Sequence, residues 1–236
     1  MRLLLVPLED SVVFPDMTAT IAADIPDGES RVLLLPRHEG SFARVGTVAE
    51  VIERSLTRRG AAAVVTGLHR GIPGAAVPSP DGALRVEVEP VHDGEPADER
   101  TRELEREYRA VVEEILELRG DDGRVAAFLR SVTAPGALAD TAGYSPDLTF
   151  ADKVRLLETV DVTSRLELAV ELQRERLTEL QVRQRIRDDV EQGAQKQQRE
   201  YFLRKQLESI RKELGEDEGS IIEEYAKKIE ESDMPD

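Results

Sequence analysis

From Thr163 to Leu214 the chain contains no proline, and its only glycine is Gly193. Proline removes a backbone donor and breaks helices, so its absence predicts a single helix of roughly 50 residues, spanning roughly 75 Å at about 1.5 Å per residue. Such a length exceeds the diameter of a small domain, and part of the helix is expected to project. Its first part carries an apolar stripe at Leu166, Ala169, Leu172, Leu177 and Leu180. Arg183 to Glu200 is almost wholly polar, with Ile186, Val190 and Ala194 as a narrow seam. Leu203, Leu207, Ile210 and Leu214 then follow a four-three-four rhythm, the spacing of a coiled-coil seam. A helix polar on most faces either bridges domains or pairs with another helix. Tyr201 and Phe202 are expected either to anchor helix–helix contacts or to pack locally on the last helix, around Ile221 and Ile222. Gly193, which costs about 1 kcal/mol against Ala inside a helix, is the expected kink or hinge.

Ahead of this helix the chain changes character near residue 95. Leu3–Leu8, Val12–Phe14, Arg31–Leu35, Thr47–Glu53, Ala62–Thr66 and Leu84–Val91 read as short strands. Pro-Asp, Pro-Asp-Gly, Arg-Gly and Pro-Ser-Pro-Asp-Gly turns separate them. The pattern predicts an antiparallel sheet closing on itself as a small barrel or sandwich. Asp93 to Asp98 reads as a linker. Helical periodicity follows at Leu104, Tyr108, Val111, Val112, Ile115 and Leu118, ended by Gly120. A shorter helix, Val125–Val132, is expected to stop at Pro135 and Gly136. Thr149 with Asp152 resembles a capping box, and Asp161 is a suitable N-cap for the long helix. Gly215 and the acidic Glu216-Asp217-Glu218-Gly219 turn are expected to end it, ahead of a last amphipathic helix at Ser220–Glu231. The organisation expected is α+β: a β-rich subdomain at 1–95, a helical subdomain at 96–162, a long helix at 163–215, and a short helix with the start of a linker at 216–236. The last residues, Ser232 to Asp236, bring no closing element, so the chain reads as part of something longer.

Composition limits what such a fold does. A net charge of -16 opposes binding to nucleic acid or to an anionic membrane, both of which need clustered Lys and Arg. No cysteine is present, which excludes disulfides and thiolate metal sites. No run approaches the roughly 20 apolar residues of a membrane span, and a cytoplasmic protein is the expectation. A phosphate-binding loop is missing; Gly67-Leu68-His69-Arg70-Gly71-Ile72-Pro73-Gly74 is Gly-rich but has no Lys, and it reads as a strand-end turn. His38, His69 and His92 lie far apart in sequence without metal-ligand spacing. Ser209-Ile210-Arg211-Lys212 matches the S-x-x-K pattern of Ser-Lys enzymes, but that chemistry needs a desolvated lysine, and Lys212 falls on a charged helix. No catalytic, cofactor or metal site is therefore expected.

Two segments carry a family resemblance. Val6-Pro7-Leu8-Glu9-Asp10-Ser11-Val12-Val13-Phe14-Pro15 resembles the opening of Lon protease amino-terminal domains. Gln198-Arg199-Glu200-Tyr201-Phe202-Leu203-Arg204-Lys205-Gln206-Leu207-Glu208-Ser209-Ile210-Arg211-Lys212-Glu213-Leu214-Gly215 is similar to the long-helix segment ahead of the Lon ATPase domain. Gly46–Val51, Val65–Arg70 and Leu156–Leu166 occur between them in the family's order. The resemblance implies a β pseudo-barrel of PUA-like type, a helical bundle and one very long C-terminal helix. It also implies a non-catalytic role in selecting unfolded or tagged protein substrates for protein quality control and stress response, within a hexamer. The ATPase and Ser-Lys protease domains of the complete enzyme would lie after Asp236. One departure is visible: Asp24–Ser30 is too short and too rich in turn residues for the helix that Lon domains usually carry there. Two alternatives of other kinds are a purely structural oligomerisation element and a small-ligand or RNA-binding PUA-like module. The latter is opposed by the acidic charge and by the scarcity of stacking aromatics.

Overall fold

Along Arg2–Glu9 Leu4, Val6 and Leu8 are buried at alternate positions, Leu3 is buried as well, and this segment forms β1. Six further strands follow: β2 (Thr18–Ile21), β3 (Arg31–His38), β4 (Ser41–Phe42), β5 (Gly46–Thr57), β6 (Gly60–Pro78) and β7 (Leu84–Val91). The computed structural model describes residues 1–58, 60–78, 83–94, 98–214 and 218–231. Within it Met1–Leu180 and Gln181–Asp236 are two compact units.

In the first unit the strands run in the order β1-β7-β6-β5-β3-β4, and β1 also pairs with β3, so five strands return on themselves. That extra pairing is parallel, Leu4 opposite Val32 through Glu9 opposite Arg37, while the others are antiparallel. The sheet is thus mixed rather than antiparallel, and with bulges in β5 and β6 it is not a clean barrel. Parallel pairing tends to bury a strand on both faces. In β3, Val32 and Leu34 pack with Leu4, Val6, Ala49 and Val65, whereas Leu33 packs with Val48, Val86 and Val88.

Two β-region expectations are corrected. Val12–Phe14 is buried but forms no strand. Asp10 and Asp16 on either side adopt positive φ, and Pro15 has no N–H for a ladder. The segment is held instead by Thr47 Oγ1 donating to the Val13 carbonyl at 2.5 Å, and the second strand comes later, at Thr18–Ile21. The Gly67–Gly74 stretch is not a strand-end turn; it lies inside β6. Its glycines are there for close approach: a Cβ on Gly67 would sit 2.2 Å from the Phe14 carbonyl oxygen, and one on Gly71 would sit 2.6 Å from Val88 Cγ1. Ala22–Ser30 contains no helix, in keeping with its turn-rich sequence. The Pro-Ser-Pro-Asp-Gly turn falls largely outside the described residues, as do Arg59, the middle of the Asp93–Asp98 linker, Gly215-Glu216-Asp217 and Ser232–Asp236.

The helices begin and end on the residues that cap them. Asp98 accepts from the Thr101 N–H at 2.7 Å to open α1 (Glu99–Arg119), and Gly120, at φ 68°, closes it. Thr149 Oγ1 accepts from the Asp152 N–H at 3.1 Å at the start of α4 (Phe150–Glu158). Asp161 accepts from the Ser164 N–H at 2.8 Å where α5 (Val162–Glu213) starts. Between α1 and α4 lie α2 (Arg124–Ser131) and a further short helix, α3 (Pro135–Asp140), continued by a 3-10 turn at Thr141–Tyr144. Pro135 thus opens a helix instead of only stopping one, because the first helical turn needs no proline N–H. Val12, Phe14 and Val45 from the β region share one apolar core with Leu104, Tyr108, Leu138, Leu156, Leu157 and Leu166. In the second unit α5 continues through Gly193 to Glu213, and α6 (Glu218–Glu231) carries exposed Ile222, Tyr225 and Ile229 at helical spacing.

The close approach at Gly67 predicts a selective cost. Gly67→Ala is expected to lower unfolding free energy by about 1–3 kcal/mol, the usual range for overpacking. Gly28→Ala, with nothing within 4 Å of the added carbon, should leave the urea midpoint unchanged.

Candidate functional site

Strand β6 carries Arg70 into the interior, where it is 1% exposed. Its Nη1 and Nη2 donate to the two Asp140 carboxylate oxygens at 2.9 and 2.6 Å, and its Nε donates to the Leu157 carbonyl at 2.9 Å. Arg165, on the first turn of α5, comes to the same carboxylate from the other side, with Nε 3.5 Å from Asp140 Oδ1 and Nη2 donating to Asp93 at 2.5 Å. Burial pushes the Asp140 carboxyl above its ordinary range. The Arg70 hydrogen bonds and the charges of Arg70 and Arg165 pull the other way without cancelling that rise. Space around the cluster is tight: a Cβ on Gly136 would lie 1.9 Å from Asp93 Oδ2. Buried Tyr108 stands nearby with its hydroxyl 2.8 Å from Thr141 Oγ1, and burial raises its pKa. Arg70 and Asp140 are bound to each other, and Arg165 is bound to Asp93 while its Nε and Nη1 remain buried without a hydrogen-bond partner; the cluster joins strands to helices.

Sequence reasoning gave Arg70, Asp140, Arg165 and Asp93 no role. One signal was available: Arg165 is spaced four and seven residues from Ala169 and Leu172, and so shares their buried stripe. A charge on an apolar stripe requires a buried partner.

The surface features most suited to binding are apolar. β3 pairs with β5 only over Thr47–Glu50, and β2 pairs with β6 only over Ala63–Thr66. The outer part of the β5–β6 hairpin is therefore a two-stranded arm. Leu56 there is 88% exposed and Ile52 58%. Beside it lies a cavity of about 240 Å³ of mixed lining, with Ala23, Ile25, Leu56, Ala61 and Ala62 set among Asp24, Asp27, Arg54 and Ser55. Arg54 closes one side by donating to the Ile25 carbonyl at 3.0 Å. Val125 and Phe128, one helical turn apart on α2, and Leu118 on α1 are further exposed apolar side chains.

The residues expected to make helix contacts fall in the second unit, five of them on α5 and Leu214 directly after its end. Tyr201, Phe202, Leu203, Leu207, Ile210 and Leu214 are each more than half exposed, and the Tyr201 and Phe202 rings lie edge to face at 6.2 Å. Ile222 is 67% exposed, and the Ile221 side chain lies outside the described residues. Gly193 lies inside the helical run with open space around it. Ser209 and Lys212 are exposed on the same helix. The histidines require one correction. Antiparallel pairing of Arg70 with Val91 brings His69 and His92 together, with ring centroids 4.5 Å apart. His38 stands apart from them, 2.5 Å from Asp10, whose hydrogen bond raises its pKa. Among the described residues no three His, Cys, Asp or Glu are grouped to hold a metal, and no helix is long and apolar enough to cross a membrane.

Residues 2–174 match the family profile described as the ATP-dependent protease La (LON) substrate-binding domain. The chain belongs to the Lon substrate-binding domain family. It is 41% identical to a Lon protease of Salinispora arenicola and 38% identical to one of Mycolicibacterium smegmatis. Each match covers 97% of this chain and 31% of the relative, so the chain spans about a third of the length of these Lon proteases. Among solved structures it is similar to the N-terminal domain of a Mycobacterium avium complex Lon protease, with TM-score 0.66 and 32% identity over 73% of this chain and 98% of that one. The mixed sheet followed by helices is thus the fold of a Lon N-terminal domain.

Asp140→Asn is expected to destabilise this Lon domain by about 3–5 kcal/mol, because it leaves buried guanidinium charge without its counter-ion. Urea unfolding should report a single shifted transition for strands and helices together. A loss confined to one of them would refute the joining role of the cluster.

Proposed function

We propose that this chain is the substrate-selecting, non-catalytic module of an ATP-dependent Lon protease, receiving unfolded or tagged proteins for quality control. The observation that carries the reading is the β5–β6 arm. Among the described residues its outer edges carry no neighbouring strand over Ile52–Leu56 on β5 and Ala61–Ala62 on β6, and its tip exposes Leu56 beside a cavity of mixed lining that includes Asp24, Asp27 and Arg54. An extended polypeptide can add to such an edge through main-chain hydrogen bonds while placing alternate side chains in the cavity. This recognition is independent of sequence detail, as a quality-control module requires. In this reading the chemistry belongs to ATPase and Ser-Lys protease domains elsewhere in a complete enzyme. The module needs no cofactor of its own, and it works in the cytoplasm. An unfolded probe such as casein is expected to bind the chain, and Ile52→Ser with Leu56→Ser to weaken binding at least fivefold by fluorescence anisotropy. Unchanged affinity in that double variant would remove the arm from the account.

The exposed seam Leu203, Leu207, Ile210 and Leu214, flanked by Tyr201 and Phe202, favours a second role in assembly, towards the hexamer expected of a complete Lon enzyme. Gly193 is the proposed hinge of that helix. Leu207→Asp with Ile210→Asp should shift sedimentation of the chain to the monomer; self-association that persists unchanged assigns assembly to other residues.

A further inference from the structure

The β6–β7 ladder ends with Arg70 opposite Val91, and one further step of the same antiparallel register sets His69 against His92. Side chains directly opposite on neighbouring strands stand on one face of the sheet. The two imidazoles therefore emerge side by side, while Arg70, next along β6, turns to the other face and Asp140. Their ring centroids are 4.5 Å apart and the ring planes meet at 54°. His69 is half-buried and His92 exposed. Among the described residues neither forms an ion pair, and His92 forms no hydrogen bond.

The one hydrogen bond at the pair fixes a tautomer. His69 Nδ1 lies 2.8 Å from the Arg70 carbonyl oxygen. A carbonyl only accepts, so Nδ1 carries the proton, and in the neutral ring Nε2 holds the lone pair. A backbone carbonyl on one ring nitrogen, with the other left open, is how metal-binding histidines are held: the bond orients the ring and makes the open nitrogen a better donor. The spacing suits the same use. With metal–nitrogen bonds of about 2.0–2.1 Å, two imidazoles meeting at one ion have centroids about 4.5–5 Å apart.

Imidazole nitrogen also selects the ion. Borderline divalent ions such as Zn²⁺ and Ni²⁺ accept it, whereas Mg²⁺ and Ca²⁺ prefer oxygen. Among the described residues no third His, Cys, Asp or Glu joins the pair, and Asp93, beside His92, is held by Arg165. Two protein nitrogens leave positions open to water, so the ion is an exchangeable ligand and not a part that the fold requires. We propose that His69 and His92 form a chelating pair for a divalent transition-metal ion of the zinc type, clamping the end of β7 to β6. The two rings meet only when these strands are paired, so an ion held by both favours the folded chain. The site is independent of polypeptide binding at the β5–β6 arm.

The test titrates the untagged chain with ZnCl₂, observed by calorimetry and at the imidazole C–H signals of the three histidines by NMR. The His69 and His92 signals are expected to move together and saturate at one ion per chain, with His38 unmoved and with no response to Mg²⁺. His69→Ala and His92→Ala should each weaken Zn²⁺ binding at least tenfold; His92→Ala, at an exposed position, carries the test should His69→Ala disturb the strand. Zn²⁺ should also raise the thermal midpoint of the parent chain and leave that of His92→Ala where it was. Zn²⁺ affinity unchanged in His92→Ala, or His69 and His92 titrating as separate sites, overturns the proposal. So does an equal rise of the thermal midpoint in both chains, which assigns the ion to other groups.

Discussion

Asp140 sits between two arginines brought to it from different parts of the chain, Arg70 from β6 and Arg165 from the start of α5, with Asp93 joining from the end of β7. Ion pairs at a surface contribute little, but a buried set behaves differently: each charge is unfavourable alone and all must be present at once. That condition makes the arrangement of strands and helices in the first unit all-or-none. Replacing the whole set by apolar residues of similar volume could be as stable, so what the charges add is a requirement that β6, α3 and α5 meet in one register. The apolar core repeats the same join, since Phe14 from the β region packs onto Gly143, where any side chain would meet its ring at 2.1 Å.

Much of this architecture was legible in the sequence because its signals are local. Thr149 and Asp161 announce helix starts and Gly120 a helix end through hydrogen bonds made within a few residues. The proline-free run announces α5. What escaped depends on contacts between distant residues. The parallel pairing of β1 with β3 shows in the sequence only as the continuous apolar run Val32–Leu35, which does not name its partner strand. Gly67 and Gly71 look like turn glycines until the Phe14 carbonyl and Val88 are seen against them. His69 and His92, 23 positions apart in number, become neighbours only through the β6–β7 register. The candidate binding features divide the same way. The seam on α5 is periodic and readable, whereas the arm exists because β3 and β2 stop short of its end, which is a property of pairing and not of composition.

The result is a division of labour within the Lon substrate-binding domain. Arg70, Asp140 and Arg165 fix a platform, and the proposed binding feature, the β5–β6 arm, lies where that platform leaves backbone edges without a neighbouring strand among the described residues. In that reading it offers contacts that an unfolded chain can satisfy in many ways, through main-chain hydrogen bonds and scattered apolar side chains.

Hydrogen exchange of the chain with and without an unfolded protein tests this division most directly. The account predicts slowed exchange along Ile52–Leu56 and Ala61–Ala62, with the amides around Asp140 and Arg165 unchanged because the platform is already fixed. Protection confined to α2 around Val125 and Phe128, or none at the arm under saturating ligand, would contradict it.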